Sequence, residues 1–203
     1  MKRLITTALL AACTAFTGAN AANLLVNGSF EEQAQANGTW HVYDHFAGWS
    51  TVSGSGIELR DNVAGRAFDG LNFVELDAYS NSAMAQAVNT VRGADYKLSF
   101  AYSGRAGVSA QSNPIEVLWD GALIDRVTAN GIGLSQHDWH TFSYTVRGTG
   151  RDTLTFRAAG TNDSLGGSLD AVSLSAVPEP STAMLLLGGV ALVGGTVRRR
   201  RAA

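Results

Sequence analysis

Tyr96-Lys97-Leu98-Ser99-Phe100-Ala101-Tyr102-Ser103 decides the fold class of this 203-residue chain. Large apolar residues alternate with Lys, Ser and Ala at a period of two, which puts Tyr96, Leu98, Phe100 and Tyr102 on one face of a β-strand. The pattern repeats on either side. Ile115, Val117 and Trp119 alternate likewise; Asp120-Gly121 then supplies the two positive-φ positions of a tight hairpin, and the chain returns through Ile124 and Val127. Phe142, Tyr144 and Val146 mark another strand, Leu154 and Phe156 the next, and Leu169 to Leu174 the last. Earlier candidates are Leu24 to Phe30, Ile57 to Arg60, Asn72 to Asp77 after the Asp69-Gly70 turn, and Met84 to Val88. No long helical period occurs, and Pro114 is the single proline between residues 22 and 177. Many short strands joined by Gly-rich turns predict an all-β domain, an antiparallel β-sandwich of jelly-roll type.

Both ends of the chain lie outside that domain. Residues 1–21 carry Lys2 and Arg3, an apolar run from Leu4 to Ala12 and the small-x-small site Ala19-Asn20-Ala21, the pattern of a secretory signal peptide. Cys13 follows Leu10-Ala11-Ala12 in the form of a lipoprotein site, but it lies early and reads as a residue of the apolar region. Residues 177–201 begin with Val177-Pro178-Glu179-Pro180, continue as an apolar segment over 181–197, and end in Arg198, Arg199, Arg200 and Arg201. Seventeen residues at ~1.5 Å rise span about 26 Å, just enough to cross a bilayer as a helix, with the arginines held on the cytoplasmic side. The order of these features resembles the PEP-CTERM sorting signal of bacteria. The resemblance implies processing near the Pro-Glu-Pro by a membrane transpeptidase (exosortase), so that Pro178, Glu179, Pro180 and Arg198 to Arg201 are sorting residues. The precursor would pass through the secretion machinery and sit in the inner membrane before processing, and the mature form would reach the cell surface or extracellular matrix.

The remaining domain, residues 22–176, is acidic. Nine of the 15 Lys and Arg but 16 of the 17 Asp and Glu lie between residues 22 and 177, a balance of about −7. That sum argues against nucleic acid or an anionic membrane as a partner and suits cation binding. The only Cys falls in the signal peptide, so no disulfide staples the domain.

Three segments carry a second resemblance: Asn23-Leu24-Leu25-Val26-Asn27-Gly28-Ser29-Phe30-Glu31, Glu75-Leu76-Asp77 and Leu169-Asp170-Ala171-Val172-Ser173-Leu174. Together they are similar to the galactose-binding-like fold of carbohydrate-binding modules and related plant cell-wall domains. This resemblance implies that first and last strands lie side by side and that Glu31 and Asp170 hold a structural calcium, completed by main-chain carbonyls and Asn27 or Ser29. Read as residues alone, the pair is equally two edge charges.

Sugars are bound by flat aromatic rings and by amide or carboxylate partners for their hydroxyls. Trp40, His41, Tyr43, His45 and Trp49 form an aromatic stretch that reads as a loop; within it Trp40 and Tyr43 are the expected exposed ligand-binding rings. Trp49 reads as packing at a strand start, Trp119 and Trp139 as core, and His41, His45, His137 and His140 as solvated. No nucleophile elbow, zinc-protease helix or phosphate loop occurs. Glu75 with Asp77 or Glu58 is the one carboxylate pairing a hydrolase could use. The sequence therefore points to a noncatalytic glycan-binding module, with a ligand-free matrix protein or a polysaccharide hydrolase as alternatives.

Overall fold

The computed structural model describes residues 22–178, so the expected signal peptide, the apolar segment 181–197 and the arginines 198–201 lie outside the described residues. Twelve strands follow one another: β1 (Thr39–Tyr43), β2 (His45–Phe46), β3 (Trp49–Ser53), β4 (Ile57–Asp61), β5 (Asn72–Glu75), β6 (Ala83–Asn89), β7 (Asp95–Ser103), β8 (Ile115–Trp119), β9 (Ala122–Val127), β10 (His140–Arg147), β11 (Arg151–Ala158) and β12 (Ser168–Ala176). They form two six-stranded antiparallel sheets, β1-β4-β5-β12-β7-β10 and β2-β3-β6-β11-β8-β9. The chain passes back and forth between the two sheets, with β2–β3, β4–β5 and β8–β9 as the sequence-adjacent pairs that stay within one sheet.

The alternation in β7 works as the sequence predicts. Tyr96, Leu98, Phe100 and Tyr102 point inward and are at most 3 % exposed. From the second sheet Phe156 meets Phe100 edge-on at 5.1 Å, and Trp49, Met84, Ile115, Val117 and Leu154 complete the buried layer. The hairpin also forms as expected, with Asp120 at φ 49° and Gly121 at φ 77° between β8 and β9. Trp49 opens β3 at 1 % exposure, and Trp119 is buried, its indole N–H donating to the Arg147 carbonyl at 3.0 Å.

Four expectations are corrected. Residues 24–30 run beside β12 but are not a strand. Asn27 and Phe30 turn to positive φ, and Gly28 lies so close to β12 that a Cβ there would stand 1.9 Å from the Val172 carbonyl oxygen. Conversely, the aromatic stretch read as a loop contains an edge strand, β1. Trp139 is not core: it lies half-buried outside the apolar cluster, with its N–H on the Arg66 carbonyl. His137 is not solvated: it is 8 % exposed between the rings of Phe73 (4.6 Å) and Trp139 (4.9 Å).

Candidate functional site

The outward face of the first sheet is unusual because it buries charge. Residues in register across neighbouring strands share a face, and two rows result. One runs Val42–Glu58–Glu75–Ser168–Ser103 through β1, β4, β5, β12 and β7; beside it runs Trp40–Arg60–Phe73. Glu58 and Glu75 stand directly opposite one another, an arrangement that repels unless cations intervene. Arg60 provides one: its Nε donates to Glu58 Oε1 at 2.7 Å and its Nη1 lies 3.0 Å from Glu75 Oε2. Arg105, from the loop after β7, donates to Glu75 Oε1 at 2.9 Å. The Gly166 amide adds a third partner to that carboxylate at 2.8 Å. Burial nonetheless pushes Glu75 up to about 7, with Arg60 and Arg105 pulling against it. The Arg60 Nη1 contact is close in distance but badly aligned, so this buried nitrogen has no hydrogen-bond partner among the described residues.

Two rings stand over this floor. Trp40 on β1 is 45 % exposed, and Tyr79, on the 77–81 loop, is 66 % exposed; their centroids lie 6.2 Å apart at 66°. The loop is closed by pairing of Asp77 with Asn81, and its Tyr79 and Ser80 amides donate to Ser55 Oγ. A cleft of about 340 Å³ opens between the rings, Arg60, Glu58, Arg105 and Ser164. On the other side of the ring pair lies a second cleft bordered by His41, Asp44 and Ser55.

Of the two rings expected to bind ligand, only Trp40 is here. Tyr43 alternates with it on β1 and so faces the other way, half-buried edge-on against Phe46 at 5.9 Å. Asp77 lies beyond the end of β5, fully buried, and its carboxylate accepts the Asp163 amide. Tyr79, Arg60 and Arg105 were not found from sequence. The alternation of Glu58 with Arg60 and of Phe73 with Glu75 placed each pair on one face, but nothing local said that both faces coincide.

Glu31 and Asp170 come together around one turn, residues 67–72. Glu31 Oε1 accepts the Leu71 and Asn72 amides at 2.8 and 2.7 Å. Asp170 Oδ2 accepts those of Phe68 and Asp69 at 2.8 and 2.9 Å, and Oδ1 that of Ala171. Gly70 is required here: at φ +73° it packs on Glu31, where a Cβ would fall 2.5 Å from the carboxyl carbon. Asp170 is fully buried, and burial pushes it up to about 7, the neighbouring Asp69 adding to the rise. The buried Asn72 Oδ1 has no hydrogen-bond partner among the described residues. Among the described residues no Lys or Arg forms an ion pair with Glu31, Asp69 or Asp170. These residues fit a hard cation with oxygen ligands. Among the described residues, though, no three His, Cys, Asp or Glu side chains could hold a metal together, so amide and main-chain oxygens would have to complete it. Asn27 is spent elsewhere, on the Ala47 carbonyl and the Glu32 amide, whereas Ser29 donates to Asp69.

β12 ends at Ala176, and residues 176–201 match the PEP-CTERM protein-sorting motif. The chain carries a PEP-CTERM sorting signal. That motif marks an exported protein, membrane-anchored and then delivered to the surface through exosortase. No curated protein matches the sequence. Among solved structures, an arabinose-bound GH51 α-L-arabinofuranosidase (MgGH51) superposes with a TM-score of 0.53 at 12 % identity, covering 77 % of this chain and 26 % of that one. This chain thus corresponds to about a quarter of that enzyme, and the likeness is one of fold. TmCBM61 in complex with β-1,4-galactotriose is similar at 18 % identity and a TM-score of 0.47, covering 77 % of this chain and all of the other. The CBM35 of Paenibacillus barcinonensis is similar at 19 % identity and a TM-score of 0.42, covering 69 % and 100 %. The PEP-CTERM chain is therefore an exported β-sandwich with structural neighbours among carbohydrate-binding modules.

Proposed function

We propose that the domain is a noncatalytic glycan-binding module and that the Trp40–Tyr79 cleft is its binding site. The observation that carries this reading is the pairing of two exposed rings with a fixed polar floor. Ring faces at 66° make a corner against which the C–H face of a sugar can rest. Arg60 and Arg105 beneath are held by Glu58 and Glu75, so the floor meets sugar hydroxyls without reorganising. The clefts on both sides of the ring pair suit a chain running across it, so an exopolysaccharide at the cell surface is the partner class. Catalysis is disfavoured by the same geometry. A general acid must reach the scissile oxygen, whereas Glu75 is fully buried under two guanidiniums and an amide. Calcium at Glu31, Asp170 and Asn72 would pin the start of the domain to its last strand.

Affinity electrophoresis through gels containing the cell's own exopolysaccharide tests the reading. Retarded migration without release of reducing ends supports a binding module. Unchanged mobility would make it a ligand-free matrix protein, and sugar release a hydrolase.

A further inference from the structure

Three pieces of chain meet at the pole from which the domain leads into its sorting signal. They are the β6–β7 turn at residues 90–94, the β10–β11 turn at 147–151, and the end of β12. The Gly93 amide donates to the Gly148 carbonyl at 2.8 Å, Thr90 to Gly150 at 2.9 Å, and Val177 to Asp95 at 2.9 Å. On this pole stand Arg92, Lys97, Arg147 and Arg151, all exposed and none in an ion pair among the described residues. They are four of the nine Lys and Arg between residues 22 and 177, against only three of the sixteen acids there: Asp95, Asp120 and Asp152. Of those three, Asp95 faces Arg147 across the ladder, and Asp152 is buried beneath Thr90 and Thr149. Val91, 67 % exposed, forms the tip. The net negative charge thus belongs to the rest of the domain.

The tether is short. Only Val177-Pro178-Glu179-Pro180 separates Ala176 from the apolar segment, and four extended residues reach about 14 Å at most. That is little more than the screening length of ~8–10 Å at physiological salt.

We propose that, while the chain is anchored, this basic pole rests on the anionic phospholipid headgroups of the membrane that holds residues 181–197. The charge sum conceals this, because it adds a basic end to an acidic body. The contact also orients the glycan cleft. Ser103, in the row of Glu75, lies eight residues along β7 from Asp95, or about 26 Å. A domain standing on its basic pole therefore holds Trp40 and Tyr79 away from the bilayer. The contact stands on the sorting signal and the charge map and does not depend on any glycan being bound.

The test uses the uncleaved full chain reconstituted in nanodiscs of phosphatidylcholine, with or without phosphatidylglycerol, followed by amide hydrogen exchange. Each cation at an anionic surface is worth roughly a fivefold population shift, so amides of residues 90–94 and 147–151 should exchange at least about tenfold more slowly with phosphatidylglycerol at low salt. High salt should erase the difference, as should the combined variant Arg92→Gln, Lys97→Gln, Arg147→Gln and Arg151→Gln. Equal exchange in both lipids at low salt overturns the proposal, as does protection that survives the four substitutions in a variant of unchanged melting temperature. Protection by dextran sulfate in neutral nanodiscs, with none from phosphatidylglycerol, would assign the surface to polyanionic glycan and also overturn it.

Discussion

Trp40 stands directly opposite Arg60 in the β1–β4 ladder, so that a half-exposed indole and a guanidinium 3 % exposed share one outward face. The two side chains differ in what supports them. Trp40 projects from an edge strand, touching Tyr79, and lies outside the apolar core. Trp40→Ala should abolish retention on exopolysaccharide gels while leaving the melting temperature within a few degrees of wild type. A large drop in melting temperature would make Trp40 structural and remove it from the site.

Arg60 is the opposite case. Its removal leaves Glu58 and Glu75 buried, opposed and short of a counter-charge, and breaking a buried pair in this way costs about 3–5 kcal/mol. Arg60→Ala should therefore lose most of its stability in urea unfolding at neutral pH. A loss below about 1 kcal/mol would place the pair in the range of solvated surface ion pairs.

Calcium offers a third test. If the ion is held at Glu31 and Asp170, it stabilises the native state by mass action and a chelator removes that contribution. Glu31→Gln and Asp170→Asn should lower the melting temperature and make it indifferent to calcium. Wild-type melting curves that do not respond to chelator would leave the two carboxylates as clamps for the amides of residues 68–72 and nothing more.

His137 gives the domain a calculable response to acid. Burial lowers it from 6.5 to about 4, with Arg60 and Arg105 adding to the effect and the Arg66 carbonyl opposing it. The unfolded chain takes up a proton below 6.5 and the native chain does not until about 4, so stability falls as pH drops through that window. Glu75 and Asp170, both raised, act in the opposite sense, stability falling as pH rises toward 7. The difference between wild type and His137→Gln isolates the histidine: unfolding free energies should converge between pH 7 and pH 4.5. Direct NMR titration should find the ring neutral at pH 5; a ring already protonated there refutes the assignment.

Processing can be read by mass. The motif at residues 176–201 predicts that the mature protein from the producing cell lacks Arg198 to Arg201. An intact C-terminus in the envelope fraction would reduce the tail to a plain membrane anchor.

Much of the fold was legible in the residues because a strand with one face in the core must alternate. β7, β8, β10, β11 and β12 could be read for that reason, and the Asp120-Gly121 hairpin by its demand for positive φ. The readings that failed concern segments whose environment is set by distant chain. Trp139 stands at a strand terminus like a core residue, yet Arg66 and Phe73 hold it on the outer face of a sheet. His137 looked polar and is buried by the same neighbours.

The sequence by itself determined where the chain goes and what class of fold it carries, because a sorting motif and a period of two are both local patterns. Trp40 as an exposed ring was within its reach. Only the tertiary structure decided what lies beside that ring. Glu58, Arg60, Glu75, Tyr79 and Arg105 come from three different parts of the chain; sheet register, a non-local pairing, sets the first three on one face, and two loops bring Tyr79 and Arg105 to it. The same holds for charge: composition sums it over the chain, whereas a surface is felt only within a screening length, so the basic pole exists only once Arg92, Lys97, Arg147 and Arg151 are folded together.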